Sequence, residues 1–325
     1  MCLYPRLMKN RKFTSNKKNG GVKPEVKDTR VLVVPIGCGK CMECKKQKST
    51  EWQVRLHEEI RESKNGKFVT MTFTDEALIK LQSELKTYRG YELENQTATL
   101  AVRRFLERWR KKNKVSVRHW LVTELGQKDS ERIHIHGIIW TDADKEEIEE
   151  KWGYGQVWIG EYVNNKTINY IVKYINKVDA KHKEYKSKVL TSKGIGSGYL
   201  RRIDSENNKY NGVNTDETYR TREGAKLALP IYYRNKIYSD EEKEQLWLQK
   251  LDKGERWING VKMDISNGNE GYYKRLKQEQ KKNERLGYGS NMVSWKEEKY
   301  MEERRRMIQE KREVEYYGKI EGVKD

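Results

Sequence analysis

An α+β architecture, an antiparallel sheet with helices packed on it, follows from three observations on this 325-residue chain. Several short runs alternate apolar and polar residues with the period of a strand. Between them lie stretches whose apolar residues recur at helical spacing. Two neighbouring strand-like runs near the middle are separated by a connection short enough for a hairpin, which favours antiparallel pairing over long crossovers.

Residues 1–64 read as an N-terminal extension, basic and turn-rich as far as Gly37, with a break at Asn19-Gly20-Gly21. Trp52, Leu56 and Ile60 stand at i, i+4 and i+8, so 51–63 is predicted to be an amphipathic helix, ended by Asn65-Gly66. Lys67–Thr74 alternates large apolar side chains with threonine and reads as a strand. Thr74-Asp75-Glu76 is a helix start. From Ala98 to about Lys111, Val102, Phe105, Leu106 and Trp109 form a core stripe. The other side carries Arg103, Arg104 and Arg108 and leads into Lys111 and Lys112, a solvated face or the border of a nucleic-acid channel. Residues 116–124 and 133–140 pair as a hairpin across Gly126–Ser130. A short helix at 142–151, a strand at 156–160 and a helix at 167–177 complete a core region at 65–180. The remainder, 181–325, is basic and charged: a linker at 181–188, a flexible turn at Gly194–Tyr199, and a solvated helix at Glu302–Glu315.

Composition narrows the partners. With 68 Lys and Arg against 49 Asp and Glu the net charge is +19, while only 35% of residues are hydrophobic. Such a chain is drawn to phosphate backbones by long-range steering and counterion release. No apolar run approaches the roughly 18 residues that span a bilayer, since Val31-Leu32-Val33-Val34 stops at Pro35. Met1–Arg6 lacks the apolar stretch of a signal peptide, so a cytoplasmic setting without membrane is expected. The Gly-x4-Gly-Lys phosphate loop of nucleotide-driven helicases is missing.

Cys38, Cys41 and Cys44 follow a Cys-x2-Cys-x2-Cys spacing, with Cys2 far away at the start. In a reducing compartment a four-thiolate zinc site and a loop of free thiols both remain open readings.

Chemistry concentrates in two short segments. In Ile133-His134-Ile135-His136-Gly137-Ile138-Ile139-Trp140 the histidines are two apart, which on a strand puts both rings on one face about 7 Å apart, within reach of one cation. Histidines that are merely polar-face residues are the competing reading. Glu124, near the end of the preceding strand, is the candidate third ligand, or else an exposed strand-end carboxylate. In Tyr170-Ile171-Val172-Lys173-Tyr174-Ile175-Asn176-Lys177 the tyrosines are i and i+4 and share a helix face, with Lys173 and Lys177 at the same offset. An aromatic helix face with solvated lysines is the alternative.

Taken in order, Phe68–Phe73, His134-Ile135-His136 and the tyrosine helix resemble the motif set of the HUH endonucleases. With Cys38-Gly39-Lys40-Cys41, Glu51-Trp52, Arg55, His134–Trp140 and Tyr170–Lys177, the chain resembles more narrowly the replication initiation proteins of microviruses, the gokushovirus branch. The likeness runs over roughly residues 1 to 200 and departs where Ile36-Gly37 separates Pro35 from the first cysteine. It implies a ferredoxin/RRM-like nuclease core, His134 and His136 as metal ligands, and Glu124 in a third position that varies within the superfamily. It makes Tyr170 and Tyr174 the nucleophiles. Lys173 or Lys177 would hold a phenolate or a phosphate. The implied metal is magnesium or manganese, beside any structural zinc on Cys2, Cys38, Cys41 and Cys44. The implied partners are the single-stranded or supercoiled phage DNA origin and a host helicase and polymerase, in the bacterial cytoplasm. Two rivals stand beside it: a plasmid initiator or single-strand transposase with the same site, and a non-catalytic nucleic-acid-binding sheet in which the histidines are incidental.

Overall fold

The computed structural model describes residues 2–126, 131–160, 162–178, 182 and 185–291. The expected 127–130 connection and the Glu302–Glu315 helix lie outside these residues. The chain divides into two compact units, one comprising Met1–Lys45, Tyr210–Asn214 and Tyr238 onward, the other Lys46–Lys209 and Thr215–Ile237.

In chain order the elements begin with β1 (Arg6–Lys9), β2 (Val33–Ile36), α1 (Met42–Glu62), β3 (Gly66–Met71), α2 (Asp75–Ser83) and α3 (Gly90–Asn113). There follow β4 (Arg118–Leu125), β5 (Ile133–Trp140), α4 (Lys145–Trp152), β6 (Val157–Gly160), α5 (Asn165–Ile171), α6 (Lys173–Asn176) and β7 (Val189–Thr191). The last are β8 (Thr218–Arg220), β9 (Lys226–Ala228), α7 (Ile231–Ile237), α8 (Asp240–Asp252), β10 (Glu255–Ile258), β11 (Val261–Asp264) and α9 (Glu270–Arg285).

The larger unit is built on a five-stranded antiparallel sheet in the order β6-β3-β5-β4-β7. The expected α+β class is therefore what the chain adopts. Alternation along β5 gives each face its own core. Ile133, Ile135 and Ile139 join Val102, Phe105 and Trp109 of α3 and Ile148 and Trp152 of α4 on one side. Ile138 and Trp140 join Trp120, Val122 and Phe68 of the sheet, Leu56 of α1, and Ile168, Ile171, Val172 and Ile175 on the other. Each of those last four side chains contributes roughly 1.5–3 kcal/mol when fully buried, an upper estimate because the unfolded chain is already partly collapsed. His134 and His136, being out of phase with Ile133 and Ile135, belong to this second face.

Gly137 carries a steric requirement: a Cβ there would lie 2.1 Å from the Trp120 carbonyl oxygen and 2.7 Å from Leu121 Cα. The residue following His136 must be glycine if β4 is to approach β5 this closely.

Several expectations shift. The first helix starts at Met42 rather than 51, because Met42 N–H donates to Asn283 Oδ1 at 2.8 Å, a cap supplied from far along the sequence. The helix expected at 98–111 begins at Gly90, and its added turns bury Asn95, which accepts from Thr123 Oγ1 at 2.7 Å. Gly194–Tyr199 is no flexible turn: Ile195, Gly198 and Tyr199 are buried, Gly196 N–H donates to Glu59 Oε2, and Tyr233 donates to the Gly196 carbonyl. Gly196 also holds φ +74°, and a Cβ there would run into the Arg55 backbone, a place no side chain could occupy. The tyrosine helix is broken at Val172 into α5 and α6; the Val172 carbonyl accepts from Ser49 Oγ at 3.1 Å.

The smaller unit pairs β1 with β2 and β10 with β11. Its core gathers Leu3, Tyr4, Cys41, Met42, Ile258 and Leu276, with the other three cysteines packed against them. Among the described residues no helix is long and apolar enough to cross a membrane.

Candidate active site and thiolate cluster

The histidine strand lies at the centre of the sheet. Register across β4 and β5 sets Glu124 opposite His134 and Val122 opposite His136. The two imidazoles lie on one side with ring centroids 6.3 Å apart. Glu124 Oε2 is 3.0 Å from His136 Nε2, and its Oε1 accepts from Lys177 Nζ at 2.6 Å. Burial works against ionisation of Glu124, yet the hydrogen bonds and charges of His136 and Lys177 hold its carboxyl below the usual range. His134 is pushed down by burial and by the neighbouring His136, which favours the neutral ring that can ligate a cation. The His134 ring lies over Gly126, where a Cβ would come within 3.1 Å of Cε1.

Thr70, across from His136 on β3, brings Oγ1 to 3.0 Å from His136 Nδ1. A hydroxyl accepts as readily as it donates, so Thr70 serves either tautomer and fixes the ring with Nε2 facing Glu124.

The tyrosines come to this strand from α5 and α6. Asn164 caps α5 through the Lys166 and Thr167 N–H groups, and Thr167 returns the bond in a capping box. The break at Val172 does not separate the phenols. Tyr174 stacks on His136 with centroids 4.5 Å apart and planes 2° from parallel. Its hydroxyl donates to Tyr170 Oη at 2.8 Å. Burial, that hydrogen bond and the Glu124 charge all push the Tyr174 phenol upward. Tyr170, 51% exposed, meets the edge of Phe68 at 6.1 Å. Lys173 is exposed on α6.

Glu124, His134, His136, Tyr170, Tyr174 and Lys177 are thus brought into one neighbourhood. Arg103, Arg104, Arg108, Lys111 and Lys112 are not part of it, because α3 covers the opposite face of the sheet. Arg104 there pairs with Glu84, Arg103 with Glu107 and Lys112 with Glu147, while Arg108 donates to the Lys151 and Trp152 carbonyls. The sequence reading missed Thr70 and Ser49. Thr70 had a signal in the threonine alternation of its strand; Ser49 had none.

As a donor set, two imidazoles and an ionised carboxylate suit a divalent cation. They do not close on one point here. Among the described residues only Cys2, Cys38, Cys41 and Cys44 bring three or more ligand atoms within 4.8 Å of one another. Those four Sγ atoms could hold a metal such as zinc. Cys2 and Cys41 Sγ are 3.9 Å apart, as are Cys38 and Cys44. The edge of a tetrahedron with zinc–sulfur bonds of about 2.3 Å is roughly 3.8 Å. Backbone N–H groups already face the sulfurs, from Tyr4 and Cys38 to Cys2 and from Lys40 and Cys41 to Cys38. Side-chain hydrogen bonding with Cys2, Cys41 and Cys44 holds the Cys38 thiol far below its ordinary range. Gly37, one of the residues separating Pro35 from Cys38, leaves room for Cys44 Sγ, which a Cβ would meet at 3.2 Å.

Fold and site together define a class: an antiparallel-sheet protein presenting two histidines and a carboxylate beneath a pair of hydrogen-bonded tyrosines. Residues 66–179 match the family of the replication-associated protein ORF2, and this span carries Thr70, Glu124, both histidines and both tyrosines. The match supports a replication initiator of the rolling-circle kind. No curated protein and no solved structure matches the chain.

Proposed function

We propose that the chain is a rolling-circle replication initiator of the HUH type, which nicks and joins single-stranded DNA at a microvirus-like phage origin by tyrosine transesterification. The observation that carries this is the Tyr174 ring stacked 4.5 Å from His136 with its hydroxyl 2.8 Å from Tyr170, two phenols against a histidine pair. The replication-associated match over the same residues supports it.

In this reading the phenol oxygen of one tyrosine attacks the scissile phosphorus in line. The bond from phosphorus to the 3′ oxygen breaks, that oxygen takes a proton, and a 5′-phosphotyrosine remains. The ester energy is kept, which is why no nucleotide triphosphate is needed. Tyr170 has the exposure to meet the strand, and the O–H donated by Tyr174 would steady negative charge developing on Tyr170 Oη. His134, His136 and Glu124 would hold magnesium or manganese, which when bound supplies positive charge to the phosphate oxygens. Lys177, drawn from Glu124, and Lys173 would grip phosphate. The second tyrosine lets the product be cut again while the first stays joined, so the freed 3′-hydroxyl can close a circle. Before closure, a host polymerase would extend the 3′ end freed by the first nick while a host helicase unwinds the duplex ahead of it.

Incubating labelled origin single strand with the protein and either ion is expected to give a covalent band, with mass spectrometry placing the label on Tyr170 or Tyr174. Replacing both by phenylalanine abolishes the band, and replacing one spares cleavage but blocks closure. No band with either ion overturns the proposal.

A further inference from the structure

Trp158 stands out on the open edge of the sheet. It lies on β6, the outermost strand beside β3, and is 60% exposed in a chain poor in hydrophobic residues. Register fixes its place relative to the histidines without any contact to them. Trp158 pairs with Thr70, and Thr70 pairs with His136, so the three form one transverse row on one face. Adjacent strands are about 4.8 Å apart, which sets Trp158 roughly 10 Å from His136 along that row.

The indole is held rather than loose. It lies over Gly160, where a Cβ would come within 3.2 Å of Cη2, and it meets the edge of Phe68 at 5.6 Å. Phe68 in turn meets Tyr170 at 6.1 Å. A buried phenylalanine is therefore flanked by two exposed rings, one of them a candidate nucleophile.

We infer that Trp158 is a stacking platform for one unpaired nucleobase, within one or two nucleotides of the phosphate that faces His136. A base has a flat π face that matches an indole without regard to sequence, and stacking of this kind anchors single strands in many folds. The net charge of +19 favours a nucleic acid as occupant over a cationic or neutral one. The inference rests on the single-strand reading above and adds the residue that positions the strand.

The test uses the full chain carrying Tyr170→Phe and Tyr174→Phe, so that binding is measured without cleavage. The probe is a labelled oligothymidylate of about twelve nucleotides, within the usual range of single-strand sites. Adding Trp158→Ala is expected to weaken binding about tenfold, and Trp158→Phe to restore most of it. A second probe with 5-iododeoxyuridine in place of thymidine is irradiated, and the cross-linked peptide is expected to contain Trp158. Equal affinity of all three proteins overturns the platform, and so do cross-links found only at residues other than Trp158. If the unmodified protein cleaves and these binding results fail, only the platform falls; if it never cleaves and they hold, the platform stands and the nuclease reading falls.

Discussion

The two candidate metal centres of this protein are built on opposite plans. The four cysteines lie within one tight shell, their sulfurs already faced by backbone donors and packed against Leu3, Tyr4 and Ile258. Glu124, His134 and His136 stay spread along two strands, with Lys177 on the carboxylate and an aromatic ring on His136. The first arrangement has the ligand spacing of a four-thiolate structural zinc site. The second does not close on one point, its carboxylate being shared between Lys177 and His136. Compactness of the ligand atoms is what separates the two.

The largest expected effect breaks the first plan. Cys41→Ser should remove bound zinc, seen by elemental analysis as a fall from one equivalent to none. Structural zinc contributes on the order of 10 kcal/mol, comparable with the whole stability of a domain, so the smaller unit should unfold in circular dichroism and proteolysis. A parent without metal, melting like the variant, would reduce the cluster to free thiols.

A smaller effect separates function from stability at the second site. Glu124→Gln is expected to lower nicking about 10- to 100-fold, the usual cost of disturbing a ligand sphere. The melting point should barely move: Lys177 is 43% exposed, so losing its pair costs under about 1 kcal/mol. Equal losses of folding and activity would mean that Glu124 is structural.

The smallest effect is a pH dependence confined to the larger unit, which holds all five histidines. Burial pushes His119 and His57 below their ordinary value. The unfolded chain then binds more protons than the folded one below about pH 6.5, so their contribution is constant above that point and stability falls as acid passes through the folded values. Denaturant titrations across that interval, repeated with His119→Asn, should show the slope and its partial loss. Stability rising on acidification would contradict this account.

Much of the sheet and of its histidine face was readable because strand period alone decides which way His134 and His136 point relative to Ile133 and Ile135. The i, i+4 tyrosines were readable for the same local reason, and they still meet although the helix breaks. That break was hidden because its partner is Ser49, far away in sequence. The packed Gly194–Tyr199 segment was hidden likewise, since Glu59 and Tyr233 hold it. The smaller unit was least readable because its interior is stitched by amides: Asn283 caps α1 and Gln280 donates to the Leu3 carbonyl. Apolar periodicity cannot register a core made partly of side-chain hydrogen bonds.

The cluster beneath the tyrosines takes Leu56 from before residue 66 and Ile195 from after residue 179, with Val189 of the outer strand β7 alongside. A fragment cut to the family-matched span would strip Leu56, Ile195 and the Trp52 ring that meets Trp120 from this core and leave β4 with an unsatisfied edge, the surface from which aggregates grow. The smallest piece worth expressing by itself runs from Lys46 to Ile237.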